Sequence, residues 1–199
     1  AVDRLLTLLA PALFVEAPLL RALRYLLPAS EADVLAEALL WQHPDVLAGA
    51  QGVQLAGRAA VTRHQQRFAA LAPALRRAAV DLILAHHAGL PESVRHREIL
   101  ACQRLAPGSI PAERWRETEQ WLRAFARTAL QRPESTALQH CLRRHVDRQS
   151  DDVFADDEIQ AALWAIAQRE RVARGEAVEL PAGVRPEQVR HFLDPATER

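Results

Sequence analysis

The side chains that could do chemistry fall into three groups. The histidines come first. His86 and His87 are adjacent, near the end of a helical pattern. Neighbours at i and i+1 point in different directions on a helix, so the two do not readily chelate one metal ion. A histidine at a helix C-terminus interacts well with the helix dipole, which accounts for the pair without a ligand. His43 and Asp45 flank Pro44 just after Trp41, at the start of a segment without period. No His-Asp doublet of the kind used by HD-type phosphohydrolases occurs.

The second group is Cys141 and His145, four apart on one helix face, with His140 on the neighbouring face. Zinc needs three or four ligands, and Cys102 and His96 belong to a distant helix without a second ligand pair. Leu138, Leu142 and Val146 surround Cys141 and His145 at helical spacing. Free cysteine is among the most buried residue types, so core packing is the reading and no metal or cofactor is expected. The third group is acidic: Asp147, Asp151, Asp152, Asp156, Asp157 and Glu158. It lacks the alternating order of a calcium loop. Its last three members open a helix, where negative charge is favourable.

Several chemistries are excluded outright. The 25 basic residues are all arginine. Without lysine there is no Schiff base and no phosphate-loop lysine. There is no Gly-x-Ser-x-Gly and no Gly-x-Gly-x-x-Gly. The acidic residues also number 25, and this zero formal charge argues against a dedicated nucleic-acid binder. Two cysteines are too few for a disulfide framework and suit a reducing cytoplasm. The apolar run from Leu5 to Val15 is far shorter than the roughly 20 residues of a membrane span, so no membrane partner is expected.

The elements that must position these residues read as helices punctuated by proline. A short one covers Leu5–Leu9, and a second runs from about Phe14 to Leu27 with Pro18 in its first turn. Ser30 reads as the N-cap of a third, with Val34, Leu35, Ala38, Leu39 and Trp41 as its apolar stripe. Asp45–Gly57 holds three glycines and reads as the longest irregular segment. The helix after it presents Val61, His64, Phe68 and Leu71. The next presents Leu75, Ala79, Leu82, Ile83 and His86, with Gly89 as C-cap. Pro91 opens a helix with Ile99, Cys102 and Leu105 facing in. Ala112–Gln131 is the clearest amphipathic helix of the chain, with Trp115 and Leu122 on one face and Trp121 and Phe125 beside it. Two more helices follow, the second capped by Asp156.

The fold class expected is therefore all-α, an irregular bundle of about eight or nine helices without a credible sheet. Residues 1–175 would form the bundle domain. Residues 176–199 would be an extended or linker segment with a short helix over Glu187–Leu193.

Two strings, Leu40-Trp41-Gln42-His43-Pro44-Asp45-Val46 and His86-His87-Ala88-Gly89-Leu90-Pro91-Glu92-Ser93-Val94, resemble helical regions found beside formylglycine-generating-enzyme-like domains in bacterial multidomain proteins, some of them linked to conflict or defence systems. The resemblance implies a non-catalytic helical module. It carries over no catalytic residue.

The functional expectation is a cytoplasmic interaction or scaffolding domain that holds a protein partner or a neighbouring domain, with Trp41, His43, Asp45, His86 and His87 as candidate binding residues. The competing reading is a metal-dependent hydrolase whose site gathers His43, Asp45, His86 and His87 at one end of the bundle. The two differ in whether these groups converge.

Overall fold

Leucine at positions 5, 6, 8 and 9 makes the first helix apolar on nearly every side, and such a helix has to be enclosed. α1 (Val2–Leu8) is enclosed: Leu5, Leu6 and Leu8 are fully buried, and α2 (Ala17–Arg24), α3 (Val34–Trp41) and α4 (Gly57–Ala69) pack on it. α5 (Pro73–His86) lies on α2 and on α6 (Glu92–Leu105). The core gathers Leu19, Leu20, Leu23, Leu40, Phe68, Ile83 and Cys102 around α1.

The computed structural model describes residues 1–131, 161, 164–165, 168–169, 171–178, 180 and 185–193. The chain divides into two compact units, Ala1–Thr118 and Glu119–Arg199, with the boundary inside α7 (Ala112–Gln131). The mostly helical class and the bounds of α7 agree with the patterning.

One element departs from it. The segment expected to be irregular is a β-hairpin, β1 (Val46–Gly49) paired antiparallel with β2 (Gly52–Leu55). Its register sets Val46 opposite Leu55 and Gly49 opposite Gly52. The Ala56 N–H donates to the Asp45 carbonyl (2.7 Å) and closes the base. On its other side Val53 exchanges two backbone hydrogen bonds with Val15 (2.7 and 2.9 Å). Gly52 is required at this crossing: it has φ +156°, and a Cβ there would meet the Val15 carbonyl oxygen at 2.5 Å.

Three local expectations are corrected. Asp33, not Ser30, caps α3, accepting the Leu35 N–H at 2.9 Å. His87, not His86, is the buried member of the pair. α5 ends on His87 at φ −93° and ψ 10°, so Gly89 does not cap it. His87 turns inward because its ring is held by the charged partners described below, and Gly89 lacks the positive φ of a glycine cap.

In the second unit, Trp121 and Phe125 stack at 5.0 Å on α7. Ala161, Trp164, Ala165 and Val189 form a small core with Val178 against it. Gly175, at φ +72°, follows helical residues 171–173, and the turns expected over Glu187–Leu193 are α8 (Pro186–Leu193). Cys141, His140, His145, the acidic residues from Asp147 to Glu158 and the N-cap expected at Asp156 lie outside the described residues. Among the described residues no helix is long and apolar enough to cross a membrane.

Candidate functional site

The candidate residues separate into two polar clusters. The first stands at the base of the hairpin. Asp45 accepts from the Arg63 guanidinium (2.5 Å) and from His64 Nε2 (3.0 Å), both on α4. The Asp45 N–H donates to His43 Nδ1 (3.1 Å), which places the His43 proton on Nε2. The hydrogen bond from His64 is the main reason that the Asp45 carboxyl sits below its ordinary range; burial opposes this, and Arg63 adds to it.

An Asp-His pair suggests a general base, but the exposure is wrong for one. The His64 side chain is fully buried. Its Nε2 carries the proton, since a carboxylate only accepts. Its Nδ1 is buried without a hydrogen-bond partner. That nitrogen faces no solvent, so this pair acts as a strut that fixes the hairpin to α4.

The second cluster surrounds His87. Its Nδ1 lies 2.6 Å from Glu98 Oε2 and its Nε2 3.0 Å from Glu16 Oε2. The Phe14 ring stacks on it at 5.2 Å. Glu98, fully buried on α6, also accepts the Leu13 N–H (3.0 Å). Burial by itself would push His87 down; Glu98 and then Glu16 outweigh it and hold the imidazole above its ordinary value. Both ring nitrogens are occupied, so His87 has none left for a ligand.

His43 and Asp45 thus belong to one cluster and His87 to another, while His86 is exposed. Trp41 is half-buried and packs against the core. Among the described residues no group of three or more His, Cys, Asp or Glu side chains is placed to hold a metal ion. Cys102 is free and buried, and burial together with the nearby Glu98 charge pushes its thiol well up, so it is no nucleophile.

Glu16, Glu98 and Arg63 are members of these clusters that the residue types by themselves did not bring forward. Glu98 had a signal: it lies four residues before Cys102 and seven before Leu105, a charge on an apolar stripe. Glu16 and Arg63 had none, because each meets its partner only through the tertiary fold.

A third feature is apolar. α3 buries Ala36 and Leu40 and turns Val34, Leu35, Ala38 and Leu39 outward, at spacing i, i+1, i+4, i+5. Val34, Leu35 and Leu39 are 66%, 57% and 49% exposed. Of the stripe expected to be core, Trp41 packs inward and the other four residues are surface. Tyr25, the 68% exposed C-cap of α2, lies against Arg24, whose guanidinium is 4.6 Å from the Tyr25 ring and donates to Glu37 of α3 at 2.5 Å. Arg24 also donates to the Ala32 carbonyl, which holds the chain leading into α3. This largely buried ion pair fixes the helix so that its apolar side stays in water. Compared with protein-family models, with curated proteins and with solved structures, the chain matches none.

Proposed function

We propose that this chain is a non-catalytic protein-interaction module that docks a partner on the outer face of α3. One observation carries the reading: four apolar residues, Val34, Leu35, Ala38 and Leu39, share an exposed helix face. Scattered exposed leucines need no explanation, but a helix-length patch marks an interaction surface. Full burial of a Val or Leu side chain is worth about 1.5–3 kcal/mol, so three of them supply a substantial interface core. The partner that fits is a protein with an apolar helical face, since a two-turn stripe of this spacing packs against another helix. The buried His64 and His87 side chains support the same reading, because each ties elements of the fold together. A place within a larger bacterial protein rests on the resemblance of the 40–46 and 86–94 strings, and a cytoplasmic one on the two cysteines.

The test is the double variant L35E/L39E, compared with wild type for a complex of defined stoichiometry purified from the native host. The variant keeps the wild-type circular dichroism and melting, and loses the complex. A complex retained by the folded variant removes α3 as the docking surface.

A further inference from the structure

The His87 cluster does more than fill space. Carboxylates accept hydrogen bonds and do not donate them. His87 faces one at each ring nitrogen, Glu98 at 2.6 Å and Glu16 at 3.0 Å. Only the imidazolium has two N–H groups to satisfy both. The three side chains differ sharply in access: those of His87 and Glu98 are 1% and 0% exposed, whereas that of Glu16 is 34% exposed. Glu16 is also the N-cap residue of α2, at the end of a short segment that clings to this cluster. Leu13 donates its N–H to Glu98, Phe14 stacks on the His87 ring, and Glu16 takes Nε2. The remaining residue, Val15, is the one that bridges Val53 of the hairpin.

We propose that His87 is a proton-operated latch: in its charged form it holds residues 13–16, and through Val15 the hairpin, and loss of its proton as pH rises releases the Glu16 end first. The order follows from access. A neutral ring has one N–H to share. Glu98 is fully buried and has nowhere else to turn, so Nδ1–H stays with it. Nε2 then presents a lone pair to Glu16, which can move to water. Charged groups facing the ring come from two packed elements, Glu98 from α6 and Glu16 from the start of α2. On α5 itself His86 and Asp81 are exposed. Cys102, one turn beyond Glu98, stays neutral through this range because burial raises its thiol.

The direction is fixed by linkage. A histidine whose value is raised by folding contributes stability that is full below the unfolded value, about 6.5, and is lost as pH rises through the folded value. The experiment is a nuclear magnetic resonance titration of the histidine rings with amide exchange protection, from about pH 5.5 to about pH 9. His87 titrates above the ordinary histidine value, and protection of the Val15 and Val53 amides, which bond each other's carbonyls, corrected for the intrinsic pH dependence of exchange, falls at least about tenfold across that same midpoint. Glu16→Gln, at a partly exposed cap position, keeps the fold, lowers the His87 midpoint and moves the loss of protection with it. His86→Gln leaves both midpoints where they were. A His87 midpoint at or below the ordinary value overturns the latch, as does protection of Val15 and Val53 that is unchanged across the titration.

Discussion

Gly52 passes so close to Val15 that a Cβ on it would lie 2.5 Å from the Val15 carbonyl oxygen and 3.2 Å from the Cα of Glu16. Backbone, not a flexible side chain, occupies the space. Gly52→Ala therefore costs about 1–3 kcal/mol, through overpacking and a φ unsuited to alanine. At Gly49 a Cβ meets only the Gly52 carbonyl oxygen, at 3.8 Å. Gly49→Ala stays within about 0.5 kcal/mol. Urea unfolding of the two variants checks the pair, and equal costs would contradict the close approach.

Asp45 ties the hairpin to α4 through His64 and Arg63. Its carboxyl is depressed in the folded state, so its contribution is present above the unfolded value, about 3.9, and is lost as pH falls through the folded value. Asp45→Ala leaves His64 without its partner and costs about 1–3 kcal/mol near neutrality. The stability gap between wild type and variant narrows on acidification. A gap that widens would mean that another group governs this end of the hairpin.

The two sides of α3 differ in cost. Leu40 is fully buried, and Leu40→Ala costs about 2–5 kcal/mol. Leu35 is 57% exposed, and Leu35→Ser changes stability by no more than about 0.5 kcal/mol in the isolated protein. Chemical denaturation of both variants measures the asymmetry. If Leu35→Ser were the costlier change, the exposed stripe would be core and the proposed docking face would go with it.

Cys102 has no exposed surface and a thiol raised well above its ordinary value. A maleimide reagent leaves it unmodified in the native protein and labels it once the chain is unfolded. Peptide mapping by mass spectrometry distinguishes it from Cys141. Rapid native labelling at Cys102 would show that α6 opens readily.

The helices were legible wherever proline and a one-sided stripe agreed. α7 carries both, and its bounds read straight from the sequence. α3 did not yield its orientation, because Val34-Leu35-Ala36-Glu37-Ala38-Leu39-Leu40-Trp41 is apolar on almost every side. Periodicity cannot choose a face there; the Arg24–Glu37 pair chooses it, and that pair is tertiary. The hairpin was hidden for a similar reason. Its turn, Ala50-Gln51, lacks the Asn-Gly type of signature, and neither residue has positive φ. A two-stranded ribbon of four-residue strands is marginal by itself and needs support. Val15, thirty-eight positions before Val53, provides it. The histidines were visible as residue types, but which of His86 and His87 turns inward depended on Glu98 and Glu16.

The enclosure of α1 also bears on how the chain is made. Its leucines emerge from the ribosome well before α3 and α4, the helices that cover them. Synthesis proceeds at about 5–20 residues per second, so the roughly sixty residues up to the end of α4 leave this greasy helix bare for several seconds. During that interval it is a natural client for a chaperone. Slowing translation between α1 and α4 would lengthen the exposure and lower the yield of soluble protein, with no change to any contact in the finished fold.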